Sequence, residues 1–275
     1  MSLSALGLPI DAPVLMGIVN VTPDSFSDGG QFSGVDAAVG HGLRLVEEGA
    51  HILDIGGEST RPGAEEVSVQ EELDRTLPVI EGLLTRTDAR LSIDTRKPEV
   101  AKGAVAAGAH IWNDVSALTF ADDSLKTAAA LGVPLVLMHA QGRPDTMQQA
   151  PSYDDVVAEV VAFLKARVAA CVAAGISPKD IVLDPGIGFG KTLEHNLALF
   201  RGLERLVSLG HPVLMGASRK SFIGLIDRDE AADTRIGGSL AAALEAARAG
   251  ATWFRVHDVA ATRQALAVAG AIHPF

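Results

Sequence analysis

Eight short apolar runs recur along this chain of 275 residues, and Ala-rich segments of helical length separate them. Six of these segments end where a helix C-terminus would need a left-handed residue, at Gly49, Gly108, Gly132, Gly175, Gly210 and Gly250. The recurrence predicts a repeated βα unit, with strands at residues 14–19, 51–55, 90–93, 110–112, 134–138, 181–183, 212–215 and 252–256.

Eight such units in series favour an α/β fold, a closed (β/α)8 TIM barrel with a parallel eight-stranded core, over a doubly wound sheet, which more often uses fewer strands. The length suits one barrel and no composition break is present, so we expect a single domain over residues 1–275. Hydrophobic residues make up 48% of the chain and aromatic residues only 4%, as is typical of parallel strands buried under helices.

The charge and the apolar pattern exclude some classes of function. A formal net charge of −11 argues against a general nucleic-acid-binding surface. No apolar run is long enough to span a bilayer, and the N-terminus lacks the basic region of a secretory signal. We therefore expect a cytoplasmic protein with no nucleic-acid partner and no membrane contact. The single cysteine, Cys171, has helical spacing with its apolar neighbours and is expected in the core.

Polar residues follow the predicted strands at their C-terminal ends. In a barrel of parallel strands these ends meet at one face, so residues far apart in sequence converge there. The residues in question are Asn20, Glu58, Asp94, Asn113, His139, Asp184, Ser218, Arg219, Lys220, Arg255 and His257. We expect an active site at this face.

One group of these residues offers oxygen acceptors. Asp94 and Asp184 accept hydrogen bonds when ionised, and a carboxylate can accept two parallel N–H donors from the guanidine-like edge of a heterocycle. Asn113 adds both a donor and an acceptor beside them. This group predicts a heterocycle-binding half of the site.

A second group, at predicted strands 7 and 8, is basic, and barrels commonly bind phosphate there through loop amides and a helix N-terminus. Arg255 and His257 are two residues apart, so they face the same way on an extended strand, and Asp258 is placed to N-cap the following helix. Thr60 and Arg61 add a hydroxyl and a cation after strand 2. This group predicts an anion-binding half.

Other patterns indicate structure rather than ligand binding. The glycines of residues 184–191 (DPGIGFGK) fit neither a P-loop nor a dinucleotide-binding turn, so close backbone packing around Phe189 is the preferred interpretation. His139 is expected to be a hydrogen-bonded histidine at the barrel mouth. No zinc-type motif of histidines or cysteines is present, but a hard cation carried by a diphosphate remains open, and Asn20 could supply one oxygen ligand.

With these residues assembled, the chain resembles the dihydropteroate synthase family over nearly its whole length. The resemblance depends on eight motifs in order, at residues 20–30 (NVTPDSFSDGG), 57–63 (GESTRPG), 92–96 (SIDTR), 113–116 (NDVS), 137–139 (LMH), 184–191 (DPGIGFGK), 218–221 (SRKS) and 255–258 (RVHD). It implies a TIM-barrel transferase of folate biosynthesis, and a sulfonamide target, that joins a dihydropterin diphosphate to p-aminobenzoate.

The resemblance also implies roles for individual residues. Pterin and diphosphate would be bound by Thr60, Asp94, Asn113, Asp184, Lys220, Arg255, Val256 and His257, of which Asp94, Lys220 and Arg255 would be catalytic. The p-aminobenzoate pocket would be formed by Phe26, Arg61, Phe189 and Ser221. Asn20 would bind Mg²⁺ as a cofactor, and the assembly would be a homodimer.

Two departures from the family pattern are visible. Trp112 stands before Asn113 where an aliphatic residue is usual, and Ala140 follows His139 where methionine is common. Neither has a role in the site, although Trp112 could alter packing near the pterin. Two alternatives stay open: a pterin-dependent methyltransferase barrel and a pterin-binding paralogue without synthase activity.

Overall fold

All eight predicted strands are present in a computed structural model of the chain, which describes residues 1–9, 12–21, 31–59, 66–142, 147–228 and 231–274, with backbone alone at 31–33. They are β1 (Val14–Asn20), β2 (Ile52–Gly56), β3 (Arg90–Asp94), β4 (Ile111–Asp114), β5 (Leu135–Met138), β6 (Ile181–Asp184), β7 (Leu214–Met215) and β8 (Trp253–Val256). Most of these strands contain four to six buried residues, which explains why runs of apolar residues marked their positions in the sequence.

The strands are all parallel and run in the order β6-β5-β4-β3-β2-β1-β8-β7. The two outermost strands of this order also meet, because Leu183 forms a parallel bridge with Val213 and its N–H donates to the carbonyl of Pro212 at 2.9 Å. The sheet is therefore a closed barrel, as predicted, and not a doubly wound open sheet.

Helices follow the strands around the outside of the barrel. Among the described residues they are α1 (Gln31–Glu47), α2 (Val69–Leu84), α3 (Pro98–Ala106), α4 (Ser124–Leu131), α5 (Val156–Ala173), α6 (Leu193–Arg201), α7 (Leu203–Val207), α8 (Ser221–Ile226), α9 (Ile236–Arg248) and α10 (Val259–Ile272). The six glycines expected after helices all have positive φ, between 60° and 112°, which confirms the βα punctuation.

Side chains alternate between two cores along each strand. The barrel interior is floored by one apolar cluster, formed by Leu6, Val14, Met16, Ile52, Ile111, Val136, Val182, Leu214 and Trp253. Leu6 reaches this cluster from a short 3₁₀ helix (Leu3–Leu6), and its carbonyl accepts a 2.6 Å hydrogen bond from Arg90. The lower half of the barrel is thus filled, so ligand chemistry is confined to the upper half.

The opposite faces of the strands pack against the helices in a larger outer core. Cys171 lies in it and is fully buried, as predicted. Trp112 lies there too, with its indole N–H donating to the carbonyl of Thr95 at 2.7 Å. It therefore packs away from the barrel interior that Asn113 enters. In the part of the chain that the structure describes, no helix has the length and apolarity needed to cross a bilayer.

Candidate active site

The centre of the barrel mouth holds one guanidinium between two carboxylates. Arg255 donates from Nε to Asp54 Oδ2 at 2.6 Å and from Nη2 to Asp94 Oδ2 at 2.7 Å. The same oxygen of Asp54 also accepts from Asn113 Nδ2 at 3.0 Å. We call these four side chains the carboxylate cluster. It joins strands β2, β3, β4 and β8.

The carboxylate cluster forms because every second side chain along a strand points into the barrel. Asp54, Asn113 and Arg255 each stand two positions beyond an apolar residue of the barrel floor, so they point inward one layer higher. The neighbouring strands bring the layers into register, because Asp94 pairs with Asn113 across β3 and β4. Polar side chains thus form a layer directly above the apolar floor.

Two oxygens of the carboxylate cluster lack a hydrogen-bond donor. Oδ1 of Asp54 and Oδ1 of Asp94 are both buried, and no described group donates to either. A buried acceptor without a donor costs about 1–3 kcal/mol. A ligand that brings N–H groups to these oxygens would recover that free energy.

Burial shapes the acid–base properties of the cluster. It raises the pKa of Asp94 to about 7, and the opposing attraction of Arg255 only partly offsets this. Burial alone would lower the pKa of Arg255, but Asp54 and Asp94 reverse the effect and raise it. The guanidinium therefore stays charged, whereas Asp94 can exchange a proton near neutral pH.

A second pair of charged side chains is formed by Asp184, at the end of β6, and Lys220, in the loop that follows β7 (the β7 loop). Burial raises the pKa of Asp184, opposed mainly by Lys220, and burial lowers the pKa of Lys220 to about 8, opposed mainly by Asp184. Asp184 Oδ1 accepts from the N–H of Gly186 at 2.7 Å. Lys220 Nζ donates to the carbonyl of Ile187 and lies 4.5 Å from the centre of the Phe189 ring. The predicted residues Asp184, Lys220 and Phe189 are therefore brought together.

The glycine-rich segment after β6 packs closely against the backbone that follows β5, in agreement with the close packing predicted around Phe189. A Cβ on Gly186 would collide with the carbonyl oxygen of His139, and a Cβ on Gly190 would collide with that of Gln141. Both glycines also have positive φ, 69° and 62°. Glycine is required at these positions by chain packing, and Phe189 lies between them.

His139 is a buried, hydrogen-bonded histidine, which confirms its expected structural role. Its Nδ1 lies 3.0 Å from Lys191 Nζ, which also donates to the carbonyls of His139 and Phe189 at 3.2 and 3.0 Å. Burial and then the charge of Lys191 lower the pKa of His139 to about 3, so the imidazole is neutral. Through these contacts Lys191 connects the backbone at Phe189 with His139, the residue that follows β5.

The basic half of the site is formed by the loops after β7 and β8. Ser218 Oγ accepts from the backbone N–H of His257 at 3.2 Å and lies 3.0 Å from His257 Nδ1. Ser221 is exposed at the start of α8. Asn20 ends β1 and is half-buried beside Gly56.

Three residues from the strand ends differ from expectation. Glu58 does not join the carboxylate cluster: it forms ion pairs with Arg96 at 3.2 Å and Lys97 at 3.3 Å, because it lies beyond the end of β2. Arg219 turns away from the mouth to pair with Asp258. Asp258 stands at the N-cap of α10, but its side chain makes no capping hydrogen bond, because the guanidinium of Arg219 takes both carboxylate oxygens.

Some predicted site residues are not positioned by this geometry. Phe26, Thr60 and Arg61 lie outside the described residues. Val256 alternates with Arg255 along β8, so its side chain packs in the outer core and leaves only its backbone for the mouth.

Asp54 is the residue that sequence reasoning missed. It is fully buried inside the apolar run of β2, and it contacts both Arg255 and Asn113. The signal was available: an aspartate within an apolar strand must have a partner, because burial of a lone charge is costly. Counting two residues forward from Ile52 would have placed it inside the barrel.

Comparison with known proteins agrees with this geometry. The family model described as "Pterin binding enzyme" matches residues 16–257. The dihydropteroate synthase of Escherichia coli K12 is 48% identical over 270 residues, which cover 98% of this chain and 95% of that protein. That of Streptococcus pyogenes is 42% identical over 255 residues, which cover 92% of this chain and 93% of that protein.

Solved structures show the same similarity in three dimensions. Xanthomonas albilineans dihydropteroate synthase with 4-aminobenzoic acid is 55% identical, with a TM-score of 0.91 and coverage of 96% of this chain and 94% of that one. The same enzyme in complex with 7,8-dihydropteroate gives 52% identity and a TM-score of 0.88, covering 98% and 96%. The Yersinia pestis enzyme in a sulfonamide drug complex is 46% identical, with a TM-score of 0.92 and coverage of 98% of this chain and 97% of that one.

The packing of Gly186 predicts a specific cost of substitution. Gly186→Ala should lower the free energy of unfolding by at least about 2 kcal/mol more than Gly132→Ala, because overpacking adds to the strain of positive φ. Gly132 is a matched control, since its φ is 60° and a Cβ there would meet no atom within 4 Å. Urea titration of both variants measures the difference, and equal losses would refute the packing role.

Proposed function

Because this chain belongs to the family of pterin-binding enzymes, we propose that it catalyses the dihydropteroate synthase reaction. The enzyme is a transferase of folate biosynthesis that condenses (7,8-dihydropterin-6-yl)methyl diphosphate with p-aminobenzoate, giving 7,8-dihydropteroate and diphosphate. The observation that carries the proposal is the carboxylate cluster, with its two buried oxygens that lack N–H donors.

The heterocyclic part of the substrate matches these acceptors. A pterin presents a guanidine-like edge and ring N–H groups, and buried carboxylates accept such donors with good directionality. We assign this binding to Asp94, Asn113 and Asp184, and we add Asp54 because its buried Oδ1 lacks a donor. Lys220 would bind the opposite edge, and Arg255 would stack against the ring while its charge also faces the diphosphate.

We assign the diphosphate to Thr60, His257 and the backbone at Val256, and the p-aminobenzoate pocket to Phe26, Arg61, Phe189 and Ser221. Support within the described residues comes from Phe189, whose ring Lys220 covers, and from Ser221, which directly follows Lys220 as the first residue of α8. Such a pocket also fits a sulfonamide, the drug class present in the Yersinia pestis structure.

The reaction requires a C–O bond to diphosphate to break and a C–N bond to a weak aromatic amine to form. In the proposed mechanism departure runs ahead of attack. Arg255 and His257 stabilise the charge that grows on the leaving diphosphate, and such preorganised donors are a common source of rate enhancement. Ionised Asp94 stabilises the positive charge left on the pterin methylene and ring. No protein nucleophile is needed: the amine nitrogen bonds to the carbon that diphosphate leaves, and the proton that the amine releases passes to solvent or to the departing diphosphate.

Magnesium is the proposed cofactor. Asn20 alone would suit an ion that the diphosphate carries, rather than an ion bound mainly by protein side chains. The described residues contain no group of three or more His, Cys, Asp or Glu side chains that could hold a metal ion by themselves. Mg²⁺ keeps several waters and takes few protein oxygens when a diphosphate carries it. Asn20 would supply one oxygen, and the bound ion would neutralise charge on the leaving group.

Assembly and compartment are further parts of the proposal. An apolar groove of about 410 Å³ lies between α9 and α10, and Val268 and Ile272 beside it are 54% and 65% exposed. Such a surface suits a second copy of the chain, so we propose a cytoplasmic homodimer. Light scattering of Val268→Glu against the unaltered protein tests it: the variant should be monomeric, and a monomeric mass for both would contradict the dimer.

An assay of diphosphate release separates the synthase from its alternatives. We expect magnesium-dependent release of diphosphate from dihydropterin diphosphate that increases when p-aminobenzoate is present. Folate-dependent methyl transfer without diphosphate release would indicate the methyltransferase barrel, which has no need of the anion site at residues 218–220 and 255–257. Pterin binding without any turnover would indicate the non-catalytic paralogue. Either result would overturn the synthase proposal.

The pKa shifts predict the pH dependence of kcat/KM for the pterin diphosphate. Asp94, with its pKa near 7, loses its acceptor character when protonated at lower pH, and Lys220, with its pKa near 8, loses its charge at higher pH. We expect a maximum between these values and a fall of about tenfold per pH unit on either side. Initial rates across this pH range measure the profile.

A variant isolates the alkaline side of this profile. In Lys220→Arg the loss at high pH should disappear, because a guanidinium stays protonated, while the loss at low pH remains. A profile in which both sides are unchanged would show that Lys220 does not control the alkaline side.

A further inference from the structure

The β7 loop contains a strained residue that the reaction does not use directly. Arg219 has a φ of 60°, in the left-handed region that a residue with a side chain rarely adopts. Its neighbours Ser218 and Lys220 both face the site, yet its own side chain turns away from it. Such strain persists only where the surroundings enforce it, and it is often found at functional sites.

Four contacts hold Arg219 in this conformation. Its guanidinium binds Asp258 through two hydrogen bonds, Nε to Oδ2 at 3.0 Å and Nη2 to Oδ1 at 2.6 Å. Its backbone N–H donates to Ser239 Oγ at 2.9 Å, and its carbonyl accepts from Arg235 Nη1 at 3.1 Å. The backbone is thus fixed from α9, and the side chain is fixed from the loop after β8.

The partner of this ion pair is equally informative. Asp258 directly follows His257 and occupies the N-cap position of α10, where its carboxylate would ordinarily accept backbone N–H groups. Instead of capping the helix, the carboxylate accepts both of its hydrogen bonds from Arg219. The two loops are also joined on the other side of the pair, where Ser218 Oγ contacts His257.

We infer that the Arg219–Asp258 ion pair is a positioning clamp that fixes Lys220 and His257 relative to each other for the pterin diphosphate. Arg219 sets the direction in which the chain presents Lys220 to Asp184, and Asp258 sets the position of His257. Both clamp residues are positioning residues, since neither needs to touch the substrate. The inference rests on the proposed function, because the pterin diphosphate is the ligand that spans the two loops, with Lys220 assigned to its pterin and His257 to its diphosphate.

Because the Arg219–Asp258 ion pair is partly exposed, it can orient the two loops without contributing much to the stability of the fold. The side chains of Arg219 and Asp258 are 29% and 20% exposed. Ion pairs near the surface contribute little to the stability of the fold, whereas a bidentate arginine–carboxylate pair fixes direction well. Breaking the clamp should therefore affect catalysis more than it affects unfolding.

The test uses Asp258→Asn, Arg219→Lys and the double variant. Asparagine keeps the size of aspartate, and lysine keeps the charge of arginine, but neither preserves the two parallel hydrogen bonds. Lys102→Gln is the matched control, because it breaks an ion pair to Asp123 at 3.2 Å that is 48% exposed on both sides and lies on α3, outside the mouth. The measurements are kcat/KM for dihydropterin diphosphate, the affinity for inorganic pyrophosphate with magnesium, and the urea midpoint of unfolding.

Each single variant should lower kcat/KM by about 10- to 100-fold, as expected for misplaced binding groups. Pyrophosphate affinity should fall as well, and the midpoints of unfolding should match that of Lys102→Gln. The kcat/KM of the double variant should be no lower than that of the less active single variant, because the two residues act as one unit.

Three results would overturn the clamp: single variants within about twofold of the unaltered protein, losses that multiply in the double variant, or losses that follow the unfolded fraction. Failure of the proposed function is a separate outcome. If the unaltered protein shows no turnover with p-aminobenzoate, the pyrophosphate affinities of the four variants still decide whether the clamp exists.

Discussion

One guanidinium held between two buried carboxylates determines the arrangement of the barrel mouth. Arg255 on β8 binds Asp54 and Asp94, and Asn113 shares an oxygen of Asp54. Removing one partner from a buried ion pair typically costs about 3–5 kcal/mol, because the remaining charge is uncompensated. The residues are therefore required together, and their donor-free oxygens have fixed positions before any ligand arrives.

Charge divides the mouth into two chemically different halves. Asp54 and Asp94 outnumber Arg255 by one formal charge, which favours a ligand rich in N–H groups. Toward β7 and β8 lie Lys220, His257 and the hydroxyl of Ser218, groups that favour an anion. In the proposed mechanism Arg255 belongs to both halves, since the group that binds the two carboxylates would also face the leaving group. One cluster would then connect recognition of the pterin with departure of the diphosphate.

The sequence could predict the barrel because its signals are local. Apolar runs mark buried strands, and glycines such as Gly49 and Gly250 mark helix ends through backbone conformation alone. The polar residues at strand ends were also predictable, since parallel strands share one face. Asp54 was not found this way, because an acidic residue inside an apolar run looks like a strand position until the register is counted. The direction of Arg219 depends on a φ angle that residue types do not reveal.

The most direct measurement of the central claim is the calorimetric affinity of Asp54→Asn for dihydropterin diphosphate. Arg255 and Asn113 both donate to Oδ2 of Asp54, so asparagine can keep an oxygen there, but it removes the negative charge beside Arg255. Its NH2 group would take the place of the donor-free Oδ1, so the pterin would lose an acceptor. The account predicts that affinity falls by about a hundredfold in a variant that urea titration shows to be folded. An unchanged affinity in a folded variant would contradict the claim that the Asp54–Arg255–Asp94 arrangement organises the site.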